Sequence, residues 1–253
     1  MRRSFVKHQR FNRHELNRDG TVYSYRDQER GIPFRASPRD AIGRLSVNRY
    51  FSRSPLRLSD GLWSVYSLMN ITSDNKIHII GSGYHSVLRC GTGNDIGILN
   101  VSGAEVTIEG VRFVRDSTSA TADVGVLLNL RGNRATIRNC WFDAGNAQTA
   151  FSGTLADKVT IESCIFEGGA GDIIYLKDSD DAMVKNNRFV PSAGRTQNVI
   201  NLDSTDVAVA AERCNDCVVV GNHVGGVYDI RYNVSGAHAV VGNNTSANLV
   251  AYV

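Results

Sequence analysis

The chain of 253 residues contains no run of about 18 consecutive apolar side chains, which excludes a membrane-spanning helix. It has only four prolines, too few for a collagen-like chain or a proline-rich linker. Five cysteines (Cys90, Cys140, Cys164, Cys214 and Cys217) make an odd count. The charged start Met1-Arg2-Arg3-Ser4-Phe5-Val6-Lys7 lacks the apolar stretch of a secretion signal. A disulfide scaffold is therefore not expected, and the cysteines read as plain thiols in or near a core. Cys214-Asn-Asp-Cys217 has no second pair to complete a tetrahedral zinc site, and the six histidines show no metal spacing, so no metal and no cofactor is expected.

What the chain does have is 42% hydrophobic residues, enough for a substantial core, and 24 glycines, which suit frequent turns. Its net charge of +3 conceals an asymmetry. Residues 1–57 carry 14 Lys and Arg against five acids, or +9; the remainder carries 14 bases against 20 acids, or −6. A basic head on an acidic body points to docking of the head on something acidic.

The informative feature is a repeat. Six segments align: Val106–Phe113, Ala135–Phe142, Val159–Phe166, Ala182–Phe189, Cys217–Val224 and Ala239–Ser246, with starts 29, 24, 23, 35 and 22 residues apart. Each opens on alternation, as in Val106-Thr-Ile108 and Val159-Thr-Ile161, which is the period of a half-buried strand. A turn residue follows (Gly110, Asn139, Ser163, Asn186, Gly221, Asn243), of the kinds that tolerate the left-handed conformation of a sharp corner. Then comes a large apolar residue: Phe113, Phe142, Phe166, Phe189, Val224. A second strand begins near Asp95, Asp123, Asp172, Asn198 and Asp229. No repeat holds a ten-residue helical pattern, which excludes helix-bearing solenoids.

Short strands at such a period describe a coil that climbs one strand spacing, about 4.8 Å, per winding. The fold class predicted is all-β, a single-stranded parallel β-helix. Like residues then stack: an aromatic ladder of Phe113, Phe142, Phe166 and Phe189, neighbouring thiols Cys140 and Cys164, and a column of Asn187, Asn222 and Asn244 that satisfies backbone groups at a corner. Ser37 and Pro38 start a short capping helix over about 38–46. Residues 1–36 show no sustained period and read as an extended basic arm, and residues 37–253 as the β-helix domain.

With these residues in view, the chain resembles the pectate-lyase-like superfamily of right-handed parallel β-helices, in the form found in phage tailspikes and related virion proteins. The resemblance rests on Asp40-Ala41-Ile42, Gly61-Leu-Trp63, Ile77-His-Ile-Ile-Gly81-Ser-Gly83-Tyr-His-Ser86-Val-Leu88 and the repeat Ile174–Phe189, and covers roughly 37–250. It implies a right-handed coil and a homotrimer. It is weak for function, because the fold hosts lyases, hydrolases, epimerases and inert spikes.

Glycan hydrolysis needs two carboxylates at a set separation. The candidates are Asp178, Asp180 and Asp181 on one coil with Asp203 and Asp206 on the next. The Asn-Thr-Asp, Gly-His-Gly and Arg-Ile-Lys signatures of polygalacturonase-like enzymes are absent, as is the Asp-Pro-His-Asp of alginate epimerases. The column Asp95, Asp123, Asp172, Asn198, Asp229 invites a calcium reading, but acids are common where turns enter strands. The balance of expectation falls on a non-enzymatic structural protein of a phage particle, a capsid decoration protein, located in the virion and made in the host cytoplasm. It is anchored through Arg2, Arg3, Lys7, Arg10, Arg13 and Arg18 on an acidic surface of another virion protein; nucleic acid is the less favoured partner and a membrane is not expected. The end Asn248–Val253 carries no polar cap, which also argues for a covering partner. The alternatives are a tail spike or fibre component and a polysaccharide-acting lyase or hydrolase.

Overall fold

The computed structural model describes residues 56–252 apart from 59, 66–67, 72–75, 91–96, 103–104, 116–124, 132–133, 146–148, 170, 192–197, 204–213 and 234–239, together with the short strands His14–Leu16, Thr21–Tyr23 and Phe34–Arg35. The capping helix expected at 38–46 lies outside the described residues. Among the described residues nearly every element is a strand, the exception being a 3-10 turn at Gly83–His85.

The strands wind into a right-handed parallel β-helix with three faces. The first face stacks Leu56–Leu58, Lys76–Ile80, Glu105–Glu109, Ala135–Arg138, Thr160–Glu162, Met183–Lys185, Val218–Val220 and Val240–Gly242. The second stacks Gly61–Val65, Ser86–Cys90, Arg112–Arg115, Trp141–Asp143, Ile165–Glu167 and Arg188–Val190. The third stacks Met69–Ile71, Gly97–Val101, Val126–Leu130, Thr149–Thr154, Ile174–Lys177 and Ile200–Asp203. The long strand His223–Asn233 pairs with both Arg188–Val190 and Ile200–Asp203, and so joins the second and third faces into one sheet. Within the basic segment, His14–Leu16 pairs parallel with Leu56–Leu58 and antiparallel with Thr21–Tyr23, which pairs with Phe34–Arg35. Three pieces of the segment read as an arm thus continue the first sheet.

Register follows the repeat on the first two faces. Ile79, Ile108, Ile137, Ile161, Val184 and Val219 stand opposite one another in successive coils and face inward. The corner after the first face is turned by residues at positive φ: Gly110 (63°), Asn139 (52°), Ser163 (54°), Asn186 (56°), Gly221 (67°) and Asn243 (53°). These are the six turn residues expected from the alignment. At Gly221 a Cβ would sit 2.4 Å from Asn186 Oδ1, so a larger residue there has to push that amide aside.

Behind that corner, Phe113, Phe142, Phe166 and Phe189 are fully buried and stack with centroids 5.0, 4.8 and 5.1 Å apart and planes within 9°. The spacing is that of the β-ladder itself, so the rings inherit their stacking from the backbone. Beside them runs a second column. Asn187 Oδ1 accepts from Cys164 N, Asn222 Oδ1 from Asn187 N and Nδ2, and Asn244 Oδ1 from Asn222 N and Nδ2. Their Nδ2 groups donate to the carbonyls of Ile161, Val184 and Val219. Lower in the same column, Cys164 Sγ donates to Ile137 O and Cys140 Sγ to Ile108 O, the equivalent carbonyls of earlier coils. The thiols do in the lower coils what the amides do above; burial and the neighbouring Cys140 push the Cys164 thiol well up, so it stays a donor.

The third face departs from the sequence alignment. Leu99 pairs with Leu128, not Leu127, and a strand missing from the alignment, Thr149–Thr154, stands between Val126–Leu130 and Ile174–Lys177. Asp172 and Asn198 do fall in one column, but Asp229 stands beside Val199; Asp95 and Asp123 lie outside the described residues. The reason is visible in the burial: Ile98 and Leu99, Leu127 and Leu128, Ile173 and Ile174, Val199 and Ile200 are all buried in consecutive pairs. Where both neighbours are apolar, alternation cannot fix a one-residue register.

Two outcomes follow for stability. Phe142→Ala removes a fully buried ring from the middle of the stack and is expected to cost about 3–5 kcal/mol, read as a lowered urea midpoint; a loss below about 1 kcal/mol would show that the ladder contributes little. Asn222→Ala leaves the buried N–H of Asn187 without its acceptor and is expected to cost about 1–3 kcal/mol, whereas Thr136→Ala on the outer surface stays within about 0.5 kcal/mol.

Candidate functional site

The acidic candidates sit where the third face turns into the first. Leu155, Asp178, Lys158, Asp181 and Asp216 all have positive φ there (50–58°), and the carboxylates hold the corner. Asp157 Oδ1 accepts from the backbone N of Asp180 (3.1 Å), and Asp180 Oδ1 accepts from the backbone N of Asn215 (2.8 Å). These positions repeat every coil: Asp157, Asp180, Asn215. Burial pushes the Asp180 carboxyl above its ordinary range, opposed by the Asn215 N–H and reinforced by Asp157 and Asp181. A raised carboxyl suits a general acid, but here it is tied to the backbone of the next coil. Beside it, Ser179 Oγ accepts from Ala156 N and donates to Lys177 O, and Cys214 Sγ donates to Asp203 O and Leu176 O. Cys217 Sγ donates to Ser179 O. The Cys-x-x-Cys pair therefore belongs to the same corner, with both thiols free and buried. The hydrogen bond with Cys217, added to burial, pushes the Cys214 thiol upward.

A separate polar set lies on the outer side of the third face. Tyr175 O–H donates to Asp203 Oδ2 (2.7 Å), and Asp172 accepts from Asn198 N and Nδ2 and from Asn201 Nδ2 (2.7 Å). Burial, then the hydrogen bond to Asp203, push the Tyr175 hydroxyl far up, with Asp172 and Asp178 adding charge. The phenol is a fixed donor, not a base. The structure thus brings Asp178 and Asp203 near Tyr175, places Asp180 in the corner network and leaves Asp181 exposed. Asp206, and the basic residues Arg2, Arg3, Lys7, Arg10, Arg13 and Arg18, lie outside the described residues. Among the described residues no group of three or more His, Cys, Asp or Glu is placed to hold a metal ion.

The second face carries a different arrangement. Its core phenylalanines are flanked on both sides by outward residues: Arg112 and Val114, Trp141 and Asp143, Ile165 and Glu167. Because these strands pair in register, Arg112, Trp141 and Ile165 form one outer column, and Val114, Asp143 and Glu167 the next. The 3-10 turn of the preceding coil lays Tyr84, 49% exposed, against them. The Arg112 guanidinium carbon is 4.4 Å from the Tyr84 ring centre and 5.0 Å from that of Trp141, and the two rings are 4.7 Å apart. Arg112 Nη2 bonds Asp143 Oδ2 (3.3 Å), and Trp141 Nε1 donates to Glu167 Oε2 (3.0 Å). Two aromatic faces, a guanidinium and two carboxylates therefore form a rigid outward platform on a flat sheet. Each aromatic is fixed by a charged partner. The turn is itself pinned: Ser82 Oγ bonds Asp60 and Ser86 Oγ, and Ser86 Oγ donates to Leu58 O.

Sequence reasoning passed over this platform. The signal was present in the repeat, since residues flanking a core phenylalanine on a strand must point outward. The recurring phenylalanines mark the inward column alone.

No family model and no curated protein matches the chain. Among solved structures it is similar to the catalytic domain of a GH87 alpha-1,3-glucanase in complex with nigerose, at TM-score 0.59 and 15% identity over 84% of this chain. The chain spans 43% of that domain. It also matches pectate lyase Pel9A, at TM-score 0.45 and 12% identity, over 84% of this chain and 73% of that one. At this identity the likeness bears on fold alone, and it agrees with the coil geometry above: the chain is a right-handed parallel β-helix.

Proposed function

We propose that the chain is a polysaccharide-binding β-helix of the spike or fibre kind, which holds a glycan along its second face without cleaving it. The observation that carries this is the Tyr84–Arg112–Trp141 platform with Asp143 and Glu167 beside it. A pyranose ring offers an apolar C–H face and a rim of hydroxyls. Aromatic faces accept the first, and fixed carboxylates and guanidinium accept or donate to the second. Pre-organisation matters here, because side chains already locked by partners lose little freedom on binding. The similarity to a glucanase domain that binds nigerose supports a sugar-facing use of this fold. Against hydrolysis stands the engagement of Asp180 with the corner backbone, and of Asp172 and Asp203 with side-chain donors.

A second reading, a structural protein of a phage particle such as a homotrimeric capsid decoration protein, is favoured by one observation. Three short strands inside the segment with +9 charge, His14–Leu16 among them, continue the first sheet of the β-helix. A basic segment joined to the sheet at these points suits an anchor on an acidic virion protein.

Affinity electrophoresis through gels holding soluble polysaccharides tests the first reading. Retardation is expected for the wild type and a loss of about ten-fold or more in affinity for Trp141→Ala, with unchanged circular dichroism. A wild-type chain retarded by no glycan would overturn it. For the second reading, replacing Arg2, Arg3, Lys7, Arg10, Arg13 and Arg18 by Gln is expected to abolish co-sedimentation with the particle while the melting curve holds; retained co-sedimentation would reject the anchor.

A further inference from the structure

Resting on the reading of the second face as a glycan surface, we infer that the platform selects an uncharged, hydroxyl-rich sugar polymer and rejects a polyuronate. The inference comes from the way its charges are already paired. Around the rings stand one cation, Arg112, and two anions, Asp143 and Glu167. Arg112 lies against both aromatic faces, with its Nη2 bonded to Asp143. A positive charge matched in this way is no free clamp for a ligand carboxylate. Glu167 accepts from the neutral indole N–H of Trp141, so its charge has no cation among these partners. The site therefore bears a net negative charge where a sugar would lie.

The other charges of this face do not reverse that balance. Arg89 stands two coils from Asp143 in the same column and bonds Ser64 Oγ (3.4 Å). Arg188 stands one coil beyond Ile165, on the far side from Trp141. His223 is one coil further on, bonded through Nδ1 to Thr245 Oγ1 (2.7 Å), and His85 packs edge-on against Tyr84. The charged groups that touch the rings are Arg112, already matched by Asp143, and Glu167, so the charge left unmatched there is a carboxylate. Each carboxylate offers up to four acceptor positions, of which the contacts above occupy one, so oxygens remain for sugar O–H donors. A neutral chain supplies those donors at every residue. A uronate polymer supplies carboxylates at the same spacing and meets like charge.

The geometry also separates charge from shape. Glu167→Gln keeps an acceptor for the Trp141 N–H and removes only the negative charge.

The test is calorimetric titration of the full chain with a neutral α-glucan oligosaccharide and with an oligogalacturonate of equal length, for the wild type, Trp141→Ala and Glu167→Gln. The glucan is expected to bind at least about ten-fold more tightly than the uronate, and Glu167→Gln is expected to narrow that ratio by improving uronate binding. Trp141→Ala is expected to abolish glucan binding. Uronate binding as tight as or tighter than glucan, and lost in Trp141→Ala, would overturn the selectivity while leaving the glycan surface in place. A ratio unchanged in Glu167→Gln would also overturn it, since the charge would then not be the selector. Binding of neither sugar would overturn both.

Discussion

In-register pairing of each coil with the next is the constraint on which everything else here depends. Parallel strands stacked at one β spacing repeat whatever chemistry the corner and core positions carry. The phenylalanine rings stack because Phe113, Phe142, Phe166 and Phe189 are register partners, and not through any geometry of their own. The asparagine column forms because an amide at a given corner finds, one spacing away, a carbonyl, an N–H and a second amide. Both columns convert a local choice of residue into a continuous seam. The cost of a wrong residue is then shared between two neighbours, since each member satisfies groups in an adjacent coil.

The same constraint decides what could be read from the chain alone. Where one residue of each pair is apolar and the other is not, as in Val106-Thr-Ile108, the face is unambiguous and the register is legible. Left-handed corners were legible because Gly, Asn and Ser are the residues that such φ values admit at low cost. The third face was legible as strand but not in register, because two consecutive buried side chains erase the period. The strands His14–Leu16, Thr21–Tyr23 and Phe34–Arg35 left no pattern at all: two or three residues are too few for alternation to show. Legibility of the site was poorer still. Outward positions are not repeated by the fold's demands, so Trp141 and Glu167 appear once each, and only the pairing of coils brings them to Tyr84 and Arg112.

Carboxylates in this molecule serve two ends that look alike in sequence. At the corner after the third face, Asp157 and Asp180 cap backbone N–H groups of the next coil, which is a structural duty. On the second face, Asp143 and Glu167 bind the edges of outward side chains, the Arg112 guanidinium and the Trp141 indole. Clusters such as Asp178-Ser-Asp-Asp181 attract notice because the acids are adjacent along the chain. The pair beside the aromatic rings, Asp143 and Glu167, is 24 residues apart and adjacent only across coils.

The shared column of Cys140, Cys164, Asn187, Asn222 and Asn244 carries an implication for how such a rod grows. Each of the inner asparagines is satisfied by a copy of itself above and a carbonyl below. Duplication of a whole winding inside the amide stretch therefore creates no unpaired group. The seam between Cys164 and Asn187 is less forgiving, since one residue type hands over to another there and the Asn187 oxygen must meet a thiol-bearing neighbour's N–H. Lengthening by gene duplication would be tolerated on the amide side of that seam, and the outward residues of each added winding would be free to diverge, because the amide column is satisfied without them.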